Sequence, residues 1–395
     1  MVELVTVATF LIAAAASLFM AWAIGAGSSG STPFAPAVGA NAISVMRAGF
    51  FVGILGFAGA VLQGANVSEA VGTELIGGVT LSPAAATIAL IIAAGLVAIG
   101  VFAGYPIATA FTVTGAVVGV GLSMGGDPAW TKYTEIATLW VLTPFVGGGI
   151  AYAIARALRA ESITEESLIV ALAALVGIVV ANIEFAVLGP PDGGASIAQS
   201  ASGWIPGPEF AGVAAATALI AAIWAVVIGF DLRVGTERGE RHFLLVLGGL
   251  VAFSAGGSQV GLAIGPLIPL SGDLDLPLLA LLVGGGFGLL LGSWTGAPRM
   301  IKAISQDYSS LGPRRSIAAL IPSFVIAQAA VLFGIPVSFN EIIVSSIIGS
   351  GYAAGSGGGV SAQKMGYTVL AWVLSLAGSI VVSFVGYLAI DTLLL

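Results

Sequence analysis

Long apolar runs separated by short polar breaks fill most of the chain. A helix needs about 20 mostly apolar residues to cross a bilayer. Twelve candidate stretches follow: 4–24, 43–64, 84–103, 106–124, 134–158, 166–188, 210–230, 242–255, 275–295, 315–334, 336–354 and 365–391. Several are short or abut a neighbour, as 84–103 abuts 106–124. Two Gly-rich polar stretches, 25–41 and 256–272, lie between apolar runs and hold too few charges for a solvated loop. They read as breaks, because irregular backbone at membrane depth persists only where protein or a wet cavity surrounds it. The predicted fold is all-α, a polytopic membrane protein of about twelve transmembrane helices, some of them broken or re-entrant.

Composition supports this and removes alternatives. Hydrophobic residues make up 58% of the 395 and charged residues 8%, where a soluble domain carries about 25% charge. So little charge cannot cover a water-facing surface, and it leaves no basic face for nucleic acid. The chain has no Cys, which excludes disulfides and thiolate metal sites. Its one His, His242, excludes a multi-histidine metal site. No metal or organic cofactor is implied. An intramembrane enzyme is disfavoured, because the polar positions at membrane depth offer no nucleophile–base pair. Met1-Val2-Glu3 lacks a basic leader, so the first apolar run reads as a retained span.

Charge sets the expected orientation. Arg156/Arg159, Arg233/Arg238/Arg241 and Arg299/Lys302/Arg314/Arg315 hold nine of the 12 basic residues. Their connections read as cytoplasmic. Connections 65–83 and 189–209 hold no base and read as external. Twelve spans then leave both termini outside a cell membrane.

The two halves match at a near-constant offset. Ser28 and Ser258 are 230 apart, as are Leu81-Ser82-Pro83 and Leu311-Gly312-Pro313, and Tyr105-Pro106-Ile107 and Ile335-Pro336-Val337. Lys132 and Lys364 are 232 apart, as are Trp140-Val141-Leu142 and Trp372-Val373-Leu374. This predicts a duplication: a first repeat over 1–160, two linking helices over 161–239, and a second repeat over 240–395. Five spans, two linking spans and five spans again require the repeats to be inverted. Inverted repeats whose broken helices meet at mid-membrane are an architecture of secondary transporters.

Each repeat offers two polar spots in apolar surroundings. One is the Gly-Ser stretch, with Ser28 and Ser29 in the first half and Ser258 and Gln259 in the second. Hydroxyls and amides can bind an anion without placing a costly charge in the bilayer, and a helix starting after such a turn points free N–H groups at it. The alternative is tight helix packing, with Ser bonding back to its own helix. The other spot is a Pro-led turn, with Pro106 and Thr109 in one half and Pro336, Ser338 and Asn340 in the other. Two helix N-termini could there face one anion, since such ends favour negative charge. Glu341 begins an apolar run. It binds a cation or carries a proton if intramembrane, or else caps a helix end in water. Glu184, Arg47 and His242 read as boundary or surface residues.

At these residues the chain resembles the PiT family of inorganic phosphate transporters. The resemblance covers roughly 1–160 and 240–395. Its most telling stretches are 104–122 and 138–152 in the first half, and 263–267, 299–305, 311–315 and 334–338 in the second. It implies an ion-coupled, alternating-access carrier of phosphate or a similar oxyanion, working as a homodimer in the lipid bilayer with sodium or a proton as the coupling ion. It also marks departures. Ser28-Ser29 and Ser258-Gln259 stand where the family carries Asn-Asp, so both acids associated with sodium coupling are absent. Phe111 and Glu341 stand where the family carries a histidine. The implied solute ligands are Ser28, Ser29, Thr109, Ser258, Gln259, Ser338 and Asn340, with Glu341 for the proton or cation. Sulfate or another small solute, or a passive channel, remain alternatives. The acidic balance and Ala/Gly/Val-rich spans resemble haloarchaeal sequences.

Overall fold

The computed structural model describes residues 2–189, 194–353 and 360–394. Positions 190–193 of the expected external connection 189–209, and position 354 at the end of the predicted span 336–354, lie outside the described residues. Helices dominate. The first group is α1 (Val2–Gly27), α2 (Ala35–Gly39), α3 (Val45–Gln63), α4 (Ala65–Thr73), α5 (Pro83–Ala103), α6 (Thr109–Ser123) and α7 (Trp130–Ala157). Three linking helices follow: α8 (Glu165–Ala181), α9 (Ile197–Ser202) and α10 (Glu209–Val234). The last group is α11 (Thr236–Ile264), α12 (Ile268–Ser271), α13 (Leu278–Thr295), α14 (Ala297–Asp307), α15 (Pro313–Leu332), α16 (Phe339–Tyr352) and α17 (Ala362–Leu394). Two-residue strands pair Ile76–Gly77 with Asp127–Pro128, and Glu184–Phe185 with Ala195–Ser196.

All twelve predicted runs fall on helices. Among the described residues nine helices are long and apolar enough to cross a membrane. The others are α6, α8 and α16, with 15, 17 and 14 residues. For α6 and α16 the shortfall has a physical reason. Each is preceded by a stretch of non-helical chain, 104–108 or 333–338. Five extended residues reach about 15 Å, and a 15-residue helix adds about 22 Å, together enough for a hydrocarbon core of about 30 Å.

One predicted break is not a break. Residues 256–264 continue α11 without interruption, and the helix yields only at Gly265-Pro266. The glycines there serve packing: a β-carbon at Gly256 would collide with the carbonyl of Gly56, and one at Gly261 would lie 2.7 Å from the Val67 carbonyl carbon. In the first half α1 ends at Gly27, and the chain turns through Ser28–Thr32 before Pro33. The basic connection 231–241 is also mostly helical, broken only at Gly235. His242 lies within α11, partly exposed and paired with Asp231.

Helices of the two groups correspond in order and make reciprocal contacts. α1 packs on α13 as α11 packs on α3, and α6 packs on α17 as α16 packs on α7. The close approaches repeat as well. A β-carbon at Gly25 would strike the Leu289 carbonyl, as one at Gly256 would strike that of Gly56. Gly119 meets the Ile380 carbonyl and Gly349, 230 residues on, meets that of Gly148.

Directions are opposed. The ends of α4 and α6 meet at the strand pair 76–77 with 127–128, and Asn66 Nδ2 donates to Val331 O at 3.3 Å. These ends share one face, called here the first face. Ser361 N donates to Tyr308 O at 3.0 Å, and Lys364 Nζ lies 3.1 Å from Asp307 and 3.3 Å from Gly104 O. These define the second face. From one buried centre, α6 therefore runs to the first face and α16 to the second.

Candidate functional site

The site is built from two non-helical segments that reach the centre from opposite faces. Backbone there cannot turn to water, so its carbonyls need partners from the protein. They find them reciprocally. Trp372 Nε1 donates to Pro106 O at 2.7 Å, and Trp140 Nε1 donates to Pro336 O at 2.9 Å. One residue further along, Asn340 Nδ2 donates to Ile107 O at 2.6 Å, and Gln259 Nε2 donates to Val337 O at 2.7 Å. Four equivalent carbonyls are thus held by side chains from the opposite half or from α11.

Those clamps bring the predicted polar spots together. Ser28 and Thr109 hydroxyls stand 3.4 Å apart. Both donate to Gln259 Oε1, at 3.3 Å and 2.7 Å. Asn340 Nδ2 also reaches Gly27 O at 2.9 Å, tying the first turn of α16 to the end of α1. Ser338 is the residue before α16, and Ala108 the residue before α6; neither caps its helix through a side-chain hydrogen bond. The leading N–H groups of a helix have no partner inside it. Here two such ends start at a buried centre and point apart.

Some of the predicted ligands are occupied and some are free. The amide of Gln259 is engaged at both ends, and that of Asn340 at its nitrogen. Ser29 Oγ, Ser258 Oγ, Ser338 Oγ, Asn340 Oδ1 and Glu341 Oε2 are buried without a hydrogen-bond partner. A buried polar atom left unpaired costs free energy and calls for an explanation such as a bound solute. Glu341 is 2% exposed, so it is not a helix cap in water. A carboxyl in that setting is balanced by a cation or carries a proton. Its equivalent, Phe111, instead stacks on Trp140 with ring centroids 3.9 Å apart.

The Gly-Ser stretches act differently from the sequence expectation. Neither starts a helix at the site. Ser28 and Ser29 follow the C-terminal end of α1, both N–H groups bonding back to Ile24 O. Ser258 and Gln259 lie inside α11. Their contribution is side-chain hydroxyl and amide, and the end of α1 favours positive charge. Arg47 is exposed in the first turn of α3, and Glu184 sits partly buried in a strand pair. Among the described residues no group of three or more His, Asp or Glu could hold a metal ion. Trp140 and Trp372 were visible in the sequence only as repeat markers; a buried indole N–H needs an acceptor, and that was the available signal for their clamping role.

A cavity of about 990 Å³ opens near the first face, between α3, α4, α8, α13 and α15. None of the predicted solute ligands lines it.

Comparison with known proteins places this arrangement. The model of the phosphate transporter family matches residues 24–383. A relative from the archaeon Thermococcus kodakarensis, named as an inferred phosphate permease, is 26% identical over 85% of this chain and 86% of its own. The inorganic phosphate transporter 2-1 of Arabidopsis thaliana, a chloroplast protein, is 24% identical over 95% of this chain and 70% of its own. A solved structure titled the sodium-dependent phosphate transporter superposes with a TM-score of 0.81, covering 98% of this chain and 100% of that one at 23% identity, and shows the same fold. With nearly the whole chain matched, this protein belongs to the phosphate transporter family.

Proposed function

We propose that the chain is a secondary carrier of inorganic phosphate across the cell membrane, coupled to a cation or proton and working by alternating access. The observation that carries this reading is the set of buried, unpartnered hydroxyls of Ser29, Ser258 and Ser338 beside two opposed helix starts. Hydroxyl and backbone N–H donors suit a tetrahedral oxyanion. In this reading Ser28, Thr109, Gln259 and Asn340 shape the pocket and shift their hydrogen bonds to the solute. Glu341 takes the coupling proton or cation, and the carbonyl end of α1 adds a place for positive charge.

The two repeats, 1–160 and 240–395, supply one half-site each, and 161–239 links them. In this reading the second face, where the bases cluster, is cytoplasmic and both termini lie outside. A homodimer belongs to this reading on the family resemblance alone. Uptake of labelled phosphate into proteoliposomes, with sulfate as competitor and sodium and pH varied, is the test. Saturable uptake that sulfate does not displace supports it. Flux linear in phosphate would make the protein a channel, and sulfate-selective uptake would change the substrate.

A further inference from the structure

The cavity at the first face is bordered by two amide side chains that pack against α11 beside Ser258. Gln63 and Gln328 line it, and each is 8% exposed. Gln328 Nε2 donates to Gln63 Oε1 at 3.2 Å and to Ser254 Oγ at 2.6 Å. Gln63 Nε2 donates to Glu184 O at 2.8 Å. Ser254 lies one helical turn, about 6 Å, before Ser258 on α11. A β-carbon at Gly257 would lie 2.8 Å from Gln63 Cβ, so the amide layer sits directly against the residue preceding Ser258.

The equivalent layer towards the second face is different. At the 230-residue offset Gln63 corresponds to Ser293, Gln328 to Ala98 and Ser254 to Ile24. Ser293 Oγ donates to Leu289 O of its own helix at 2.8 Å, and Ala98 and Ile24 are buried and apolar. Duplication thus left a hydrogen-bonded amide layer under a cavity on one side and a largely apolar seal on the other.

We propose that the cavity is the vestibule through which the oxyanion reaches the central site, and that Gln63, Gln328 and Ser254 form the gate between them. This rests on the transport reading above. All three groups are neutral and bond mainly to each other. Such bonds exchange readily for bonds to a solute, because each amide N–H finds an oxyanion oxygen as it leaves its partner. An apolar seal offers no such exchange. Glu69 and Glu184 line the same cavity, so in this proposal the oxyanion enters it accompanied by the coupling cation.

The chain has no native Cys, so a single introduced thiol reports accessibility cleanly. Ser258→Cys is probed in sealed vesicles with a membrane-impermeant methanethiosulfonate reagent added at the first face. With both glutamines intact labelling is slow; adding Gln328→Ala speeds it at least tenfold. Gln328→Asn, which keeps the amide but shortens its reach, gives an intermediate rate and guards against a folding defect. Gln328→Cys is labelled from the same side, and the adduct blocks phosphate uptake, while Ala98→Cys is not reached. Labelling of Ser258→Cys that ignores Gln328 would overturn the gate even if phosphate uptake is robust. Accelerated labelling in a protein that moves no phosphate would uphold the gate and overturn the transport reading.

Discussion

The two Pro-led turns share a scaffold and differ in chemistry. Each has its proline carbonyl held by a tryptophan of the other half, Trp372 on Pro106 and Trp140 on Pro336. Beyond that point they part. The second turn continues Ser338, Asn340 and Glu341, all buried, each with an unpartnered oxygen. The first continues Ala108, Ala110 and Phe111, and Phe111 closes its side by stacking on Trp140. The duplication has kept the bonds that fix irregular backbone at membrane depth, where every lost donor is expensive. It has let one copy hold most of the unpartnered polar groups, so the centre is symmetric in frame and one-sided in its free donors and acceptors.

The sharpest way to break this comparison is Asn340→Ala. It removes the donor to both Gly27 O and Ile107 O. Two buried carbonyls left unpaired cost roughly 1–3 kcal/mol each. Thermal unfolding in detergent should fall markedly, and phosphate uptake should drop at least tenfold. Near-normal uptake and melting would mean that the amide neither fixes the turn nor serves the solute.

A smaller and more selective effect separates Glu341 from Phe111. Glu341→Gln keeps the shape but can neither release a proton nor balance a cation. Uptake in the variant should lose most of its dependence on pH or on the coupling cation, with little change in melting. Phe111→Leu gives up a stacked aromatic pair worth about 1 kcal/mol, so it should lower the melting temperature by a few degrees and leave the ion dependence intact. If the two variants behaved alike, the carboxyl would be no more than a packing residue.

Much of this frame could be read in the sequence, because it is written in hydropathy and spacing. The apolar runs located every long helix, and the shared offset of Pro106/Pro336 and Trp140/Trp372 located the equivalent turns. What escaped was set by tertiary contact. Residues 256–264 read as a break, yet their glycines let α11 pass close to α3 and α4 without losing its helix. The serines at 29, 258 and 338 could be named as ligands, but not that Gln259 and Asn340 would spend their amide nitrogens on backbone carbonyls. Gln63, at the end of one apolar run, and Gln328, inside another, carried no signal and acquire meaning only when α3 and α15 bring them together.

The smallest test compares the lysines that open α7 and α17. Lys132 pairs with Glu74 at 2.6 Å, and Lys364 pairs with Asp307 at 3.1 Å. They stand at opposite faces and at equivalent positions, so a purely symmetric frame would make Lys132→Met and Lys364→Met equal. Each acid partner is substantially exposed, which limits such a pair to roughly 0–1 kcal/mol. Lys364 has more to lose. Its ammonium also reaches Gly104 O at 3.3 Å and lies 4.2 Å from the centroid of the Tyr105 ring. Both belong to the segment leading to Pro106, so this lysine holds the approach to the first turn as well as its ion pair. Lys364→Met should therefore lower the melting temperature more than Lys132→Met and slow uptake severalfold, whereas Lys132→Met should leave uptake nearly unchanged. Equal effects on uptake would place the two ends of the frame under the same constraint and confine the asymmetry to the polar residues at its centre.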